Sequence, residues 1–455
     1  MVEEKFAVRL FAAFVAIAVS VPAAAAAGPG DGLKAGNLKL HPRLTLSGGY
    51  DTNVFRLSEG ETPNGRPLRA PVLNISPGLS VTTIDPTNFK LEFDGELTWE
   101  QYFSSIPALR RQSGLAGNSD FGLTLNHDGG VSFKVEDNFT YENIPPNSSN
   151  GQNFNELTNR VGGVLGIHPG ERIFQLDLGY GYKIFRYYTP ALLDLDRDKH
   201  QFDLDLTWRF LPKTAFVLQG DFDIIQYESP FRGVQSNRVP RRDKLPNVNS
   251  MPLKVKGGLS GLLTPRISLR LLGGWAEGFY DTGPSFNGFI AHTSASYRFG
   301  QKKLGSKIQL GYERNFKDAN ISNYSAEHRG FLNFTHNFFD KKFGYTIKGE
   351  YVYADYAPLQ VGTTEVTGED GETREFKTVR NRNGELVFLP DDLHDEVVQA
   401  SVGIHSELGG WWRGDLTYEF SSNLSGDRID IPVRELKRFR GFIRHYVLAS
   451  MTFKY

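Results

Sequence analysis

The stretch "LKLHPRLTLSGGYDTNVF", residues 38–55, alternates apolar and polar side chains. One set of alternate positions holds Leu38, Leu40, Leu44, Leu46 and Tyr50, and the other set is mostly charged or hydroxylated. Because successive side chains of a β-strand point to opposite faces, the pattern predicts a strand with one apolar face and one charged face. Strands of soluble sheets are usually about 5 or 6 residues long, whereas a tilted membrane-spanning strand needs about 9 to 11. The length therefore favours a strand between lipid and a lumen.

The composition by itself resembles that of a soluble protein. The chain has 455 residues, a formal net charge of −1 and 39% hydrophobic residues, and its mean hydropathy is −0.37. A transmembrane barrel shows similar averages because only every second residue faces lipid. The chain contains no cysteine, which excludes a disulfide scaffold and a thiolate metal site. We predict no cofactor and no nucleic-acid partner, since the sequence has no phosphate loop, zinc spacing or nucleic-acid motif.

The first residues have the features of a secretory signal. Lys5 and Arg9 precede an apolar run that starts at Leu10, and the alanine tract at 23–27 offers a cleavage site. We predict a signal peptide over residues 1–27, with an uncleaved membrane anchor as the alternative. A short periplasmic segment would then cover residues 28–37, and a transmembrane β-barrel would cover residues 38–455. The segment 28–37 is too short for a plug or a periplasmic helical domain.

Short, turn-forming segments divide the remaining chain. They are rich in Gly, Pro, Asp and Asn and lie at 84–88, 127–130, 168–172, 211–214, 263–266, 300–305, 339–342 and 408–411. Nine longer connections alternate with these eight turns. We therefore predict an all-β fold: a transmembrane, antiparallel outer-membrane β-barrel of about 18 strands with both termini in the periplasm. The alternation is weakest around residues 186–200 and 317–332.

The last strand ends in "YVLASMTFKY", which closes on the aromatic residue Tyr455. This ending resembles the C-terminal recognition signal of bacterial outer-membrane proteins. The resemblance implies insertion by the outer-membrane assembly machinery and contact with outer-membrane lipid and lipopolysaccharide. We therefore expect the protein in the bacterial outer membrane.

Charged residues on the polar sides of the predicted strands are the candidates that line the lumen. Carboxylates in a packed core would be costly, so their number favours a wide aqueous channel over a small filled barrel. The candidates are acidic in the first half of the chain and basic later, which predicts a wall that is acidic on one side and basic on the other. They are Glu92, Asp94, Glu96, Asp177, Asp203, Asp205, Asp221 and Asp223, followed by Lys254, Lys256, Arg270, Arg298 and Lys307.

Few residues suggest catalysis. His292 and Ser294 lie two apart on one predicted strand, and His405 with Ser401 is a similar pair four apart, but histidine and serine are common on hydrated lumen faces. The carboxylate pairs Asp203/Asp205 and Asp221/Asp223 are equally well explained as solvated neighbours. We therefore predict that the protein is not an enzyme and has no catalytic or metal-binding residues.

Two long connections carry further patterns. A basic run with Arg238, Arg241 and Arg242 lies in a predicted outer loop, where it could fold inward as a constriction, pair with lipopolysaccharide phosphates or remain solvated. In the connection 356–395, two alternating runs flank Asn383 and Gly384. This arrangement predicts an extracellular hairpin above the barrel.

The segment "LSGGYDTNVFRL" resembles the first-strand motif of a bacterial outer-membrane β-barrel porin family associated with capsule and exopolysaccharide export. The matching residues are Gly49, Tyr50, Asp51, Asn53 and Phe55. The resemblance implies export of a polysaccharide substrate, with a separate periplasmic polysaccharide-export protein as a possible partner. Two alternatives stay open: a general passive porin for small hydrophilic solutes, and a non-conducting structural or adhesive barrel.

Overall fold

A computed structural model describes most of the chain from residue 31 onward. The described ranges are 31–56, 67–86, 89–142, 155–169, 173–188, 193–229, 247–301, 305–319, 322–358, 363–367, 373–380, 386–389, 394–407, 409–425, 428–429, 438–439 and 441–455. No helix in these ranges is long and apolar enough to cross a membrane. The expected signal peptide, residues 1–27, lies outside them.

Eighteen long strands form one antiparallel sheet in which each strand pairs with the next along the chain. In order they are β1 Leu38–Asp51, β2 Ala70–Thr83, β3 Phe89–Tyr102, β4 Gly114–Leu125, β5 Val131–Glu142, β6 Glu156–Ile167, β7 Phe174–Tyr187, β8 Arg197–Leu211, β9 Thr214–Tyr227, β10 Ser250–Leu262, β11 Ile267–Tyr280, β12 Phe286–Arg298, β13 Lys307–Asp318, β14 Tyr324–Phe338, β15 Phe343–Tyr356, β16 His394–Glu407, β17 Trp412–Asn423 and β18 Phe442–Lys454. The eight short connections fall at the eight predicted turns. The predicted strand count is confirmed.

The sheet closes into a barrel because β1 pairs with β2 on one side and with β18 on the other. The closing register runs from Arg43 opposite Lys454 to Asp51 opposite Tyr446. Closure leaves no edge strand, and along the paired stretches of the wall the backbone polar groups are satisfied between strands. Short turns are gathered at one end of the barrel, the turn end, and long connections at the other, the loop end. In outer-membrane barrels the turn end faces the periplasm.

The described residues also form several smaller elements outside the eighteen long strands. A strand Leu33–Ala35 folds back on the start of β1, and a one-turn helix, Pro107–Arg110, lies between β3 and β4. In the connection after β15, the strand Thr373–Arg380 pairs with Leu386–Leu389 on one side and with Thr363–Thr367 on the other. The predicted runs around residues 383–384 therefore pair, and a third strand joins them. The turn 381–385 lies outside the described residues. Short elements Leu193–Leu195, Phe339–Lys341, Arg428–Ile429 and Arg438–Phe439 complete the described structure.

The outer face of the barrel is apolar. Leu310, Trp275 and Leu416 expose 56%, 55% and 48% of their surface, and large apolar side chains on the same face of the other strands are similarly exposed. An apolar surface this extensive is not stable in water and needs a lipid environment. Together with the closed eighteen-stranded sheet, it places the protein in the bacterial outer membrane.

Candidate functional site: the charged lumen

Cross-strand pairing assigns every wall residue to one of two faces, because directly paired residues share a face. Arg197 of β8 lines the same cavity as Ser325 of β14 and Asp395 of β16. Those strands lie far apart in the sheet, so the face they share must be the inner one. The register places all the predicted lumen residues on that face: Glu92, Asp94, Glu96, Asp177, Asp203, Asp205, Asp221, Asp223, Lys254, Lys256, Arg270, Arg298 and Lys307.

Charge is unevenly distributed around the inner face. Strands β3 to β9 place thirteen carboxylates and seven Lys or Arg side chains on it. Strands β10 to β12 place four cations and no carboxylate there. The lumen therefore has an acidic arc and a basic arc. A transverse field of this kind orients polar solutes in a pore.

Arginines cross-link the acidic arc over intervening glycines. Arg43 of β1 reaches across Gly78 of β2 to Asp94 of β3, and its guanidinium donates two hydrogen bonds of 2.6 and 2.7 Å to that carboxylate. A Cβ at Gly78 would lie 2.7 Å from Arg43 Nε, so only glycine leaves room for this reach. Arg160 repeats the arrangement over Gly181: it contacts Glu136 on one side, and its Nη2 is 3.2 Å from Asp203 on the other.

Two more of the acidic candidates are also held by polar neighbours. Lys199 Nζ lies 2.7 Å from Asp223, and Gln219 donates a 2.7 Å hydrogen bond to Asp205. Such individually held carboxylates are suited to a hydrated wall rather than to a shared catalytic proton.

The two histidine–serine pairs considered in the sequence are not joined by hydrogen bonds among the described residues. The ring of His292 lies 6.3 Å from that of Phe331, measured between centroids. No hydrogen bond between described residues joins His292 to Ser294, or His405 to Ser401. The described residues also contain no group of three or more His, Asp or Glu placed to hold a metal ion.

The residues of the first-strand motif turn the chain into the barrel after β1. Asp51 accepts a 2.9 Å hydrogen bond from the backbone of Asn53, which begins a tight turn. The other oxygen of Asp51 accepts two bonds from Arg444 of β18, from Nε at 2.9 Å and from Nη2 at 2.7 Å. Asn53 in turn donates to the carbonyl of Ile443 at 3.1 Å. The motif thus joins the first strand to the last.

Residues 52–56, which we name the seam segment, pack against the inner wall. Val54 is buried against Val72, Tyr102 and Leu109, and Tyr446 packs on the same cluster. The inner-face positions of β2, β3 and β18 supply most of these contacts, so the seam segment lies inside the barrel. Arg56 ends it with a positive φ of 52°.

A second segment enters the lumen from the opposite wall. Pairing between β12 and β13 ends at Ala291 opposite Arg314, although both strands continue toward the loop end. Beyond that point residues 315–319 and 322–326, around the end of β13 and the start of β14, lean over the inner face; we name these two ranges the inner hairpin. Asp318 accepts hydrogen bonds from inner-face Ser250 at 2.5 Å and from Tyr280 at 2.8 Å.

An aromatic contact also holds the inner hairpin against the inner face. Phe316 has 0% exposure and stacks on Phe286 of β12 with ring centroids 4.3 Å apart. Lys254 Nζ lies 4.7 Å from the centre of the Phe316 ring and donates a 2.8 Å hydrogen bond to the Phe316 carbonyl. A Cβ at Gly278 would meet that ring at 2.9 Å, so the glycine makes space for it.

Cavities remain between these segments and the wall. An outer cavity of about 390 Å³ near the loop end is lined by Arg197, Lys317, Glu327 and Asp395, among others. A middle cavity of about 430 Å³ is lined by Lys348, Ser401, Glu419 and Arg444, among others. A third cavity of about 510 Å³ near the turn end lies between Asp205 and Arg270, where the acidic and basic arcs face each other.

Some site residues were missed in the sequence. Arg43, Arg160 and Arg329 have the expected inward parity. Arg43 and Arg160 each reach a carboxylate two strands away across a glycine, whereas Arg329 contacts Glu313 and Glu350 on the adjacent strands. The inner hairpin falls in the range 317–332, where the alternation is weak, and that weakness was its only signal. The basic loop residues Arg238, Arg241 and Arg242 lie outside the described residues.

No family model and no curated protein matches the chain. Among solved structures it is similar to OccAB4 of Acinetobacter baumannii, with 12% identity, a TM-score of 0.43, and 91% of this chain and 98% of that chain covered. It is also similar to the outer membrane protein OpdK of Pseudomonas aeruginosa, with 10% identity, a TM-score of 0.45, and coverages of 92% and 99%. The siderophore receptor PirA of the same organism shows 9% identity, a TM-score of 0.41, and coverages of 91% and 80%. Similarities at this level do not indicate a shared solute.

The class of protein follows from the barrel itself. A closed sheet of eighteen strands, an apolar outer face and a charged lumen that contains cavities define an outer-membrane channel.

Proposed function

We propose that the protein is a passive porin for small hydrophilic solutes. The observation that carries the proposal is the series of polar cavities inside a barrel whose inner wall is acidic on one arc and basic on the next. Charged and amide groups on such a wall exchange hydrogen bonds with a solute as it leaves bulk water. We also propose that the chain has no catalytic role.

The size of the passage favours small solutes over a polymer. The seam segment and the inner hairpin project into the lumen, and the outer and middle cavities beside them measure about 390 and 430 Å³, a volume suited to small molecules. A polysaccharide conduit needs a continuous wide bore. Export of a polysaccharide stays a prediction that rests on the first-strand motif, and the adhesive barrel likewise stays an alternative.

Swelling of proteoliposomes in isosmotic solutes tests the proposal. We expect entry rates to fall with solute size, from a monosaccharide to a trisaccharide, because the cavities admit only small molecules. Gln399 lines both the outer and the middle cavity, so Gln399→Trp should slow entry. Val398 is its neighbour on the other face, which makes Val398→Trp the matched control with unchanged entry.

Two outcomes would contradict the porin. If the liposomes do not swell in any solute, the non-conducting adhesive or structural barrel becomes the remaining alternative. Normal solute entry in a deletion strain, together with polymer retained in the periplasm and lost from the surface, would favour export.

A further inference from the structure

Arg56 occupies the junction of the outer and middle cavities. Five residues line both cavities: Arg56, Arg329, Glu350, Gln399 and Ser421. Four of them belong to the wall strands β14 to β17. Arg56 alone comes from a connection; it is 8% exposed, and its charge lies close to those of Arg444, Asp51 and Glu419.

The backbone holds Arg56 in an unfavourable conformation. Its φ of 52° lies in the left-handed region, which residues with a Cβ seldom adopt. The turn that imposes this φ is fixed from both sides: the Arg56 amide donates to the Asn53 carbonyl at 3.1 Å, and the Val54 amide donates to the Leu68 carbonyl at 3.0 Å. Strain that the surrounding structure maintains is often found at functional positions.

The surroundings of Arg56 are more basic than acidic on the side of the middle cavity. That cavity is lined by four cations, Arg56, Arg329, Lys348 and Arg444, and by two carboxylates, Glu350 and Glu419. Burial lowers the pKa of Arg56 to about 10, and the positive charge of Arg444 adds to the decrease. The guanidinium therefore stays protonated at neutral pH.

We propose that Arg56 sets the charge preference of the channel, so that small solutes bearing an anionic group such as a carboxylate pass the junction more readily than cations of the same size. A fixed cation beside the path of an ion lowers the electrostatic barrier for anions and raises it for cations. This inference rests on the proposed passive porin and names the class of solute for its junction.

The test is the reversal potential of the purified channel in a planar bilayer under a KCl gradient. Arg56→Gly removes the charge, and glycine tolerates the positive φ, so the barrel should fold as before. We expect the chloride-to-potassium permeability ratio to fall by about two- to fivefold, and the single-channel conductance to rise because the junction widens. Arg56→Asn, which also tolerates this φ, should give the same direction of change.

Arg266 provides the control. It is an exposed residue of the turn between β10 and β11, and Arg266→Ala should leave the ratio unchanged. If both Arg56 variants, shown to be folded by heat-modifiable gel migration, shift the ratio no more than Arg266→Ala, the inference is wrong while the passive porin stands. If the wild-type protein carries no current, the porin itself fails.

Discussion

The seam segment and the inner hairpin both narrow the lumen, but they are attached in different ways. The seam segment is five residues long and is bound at its base to β1 and β18 through Asp51, Arg444 and Asn53. The inner hairpin gives up pairing with β12 and is held by side chains, chiefly Phe316 and Asp318. The seam segment extends the closure between the first and last strands. The inner hairpin is a part of the wall that is no longer paired with the adjacent strand β12.

This difference has a consequence for motion. Residues 286–290 of β12 have no partner on the β13 side while the inner hairpin leans inward. Unpaired strand backbone is costly in a membrane wall. A second arrangement, in which residues 315–318 pair with β12, would recover those hydrogen bonds and lose the contacts of Phe316 and Asp318. We therefore expect the inner hairpin to move and the seam segment to stay fixed.

Phe316→Ala should have the largest effect on the inner hairpin. Removing a fully buried phenylalanine ring costs about 3 to 5 kcal/mol, which corresponds to a change of about 10²- to 4 × 10³-fold in an opening equilibrium. Ser325 is 5% exposed, and the chain has no cysteine, so Ser325→Cys is a specific reporter. Its rate of maleimide labelling should rise strongly when Phe316→Ala is added.

The exposed ring of Phe279, on the outer face of β11, gives the control for that experiment. Phe279→Ala should leave the labelling rate of the Ser325→Cys protein unchanged. Equal labelling rates with and without Phe316→Ala would show that the aromatic contact does not hold the inner hairpin.

Asp51→Asn should act on the whole barrel rather than on one segment. It breaks an almost fully buried carboxylate–guanidinium pair between the first and last strands, a loss of about 3 kcal/mol. We expect a lower temperature for the heat-modifiable shift in gel migration. Asp415→Asn breaks the Arg413 pair within one strand, which is more exposed and worth less than about 1 kcal/mol. If the two variants melt alike, the closure does not depend on the Asp51 contact.

Asp318→Asn should have the smallest effect. The amide keeps one acceptor for Ser250 or Tyr280 but loses the charge, at a cost of about 1 to 2 kcal/mol. Labelling of the Ser325→Cys reporter should increase by about tenfold, with the melting of the barrel unchanged. Asp281→Asn is the matched control. Asp281 lies in the neighbouring connection, where its carboxylate accepts a hydrogen bond from Asn249. A lower melting temperature for Asp318→Asn would mean that the inner hairpin is part of the fixed wall.

The wall could be predicted from the sequence because it depends on local signals. Alternation with period two separates outward Leu310 from inward Glu313, and Gly- and Pro-rich turns mark the strand ends. The two lumen segments depend on contacts between distant parts of the chain. Asp51 meets Arg444 only when the barrel closes, and Phe316 has the parity of an outward residue. It is buried because its hairpin leans over β11 and β12, which alternation does not reveal.

A cysteine in the lumen tests the central claim, which is that solutes and ions pass through the junction between the two segments. Ser421 lines both cavities there, whereas Ala449 lies on the outer face of β18. In single-channel recordings, a bulky thiol reagent should reduce the current of the Ser421→Cys protein and leave that of the Ala449→Cys protein unchanged. An undiminished current after complete modification of Ser421→Cys would contradict the account, because ions would then bypass the junction.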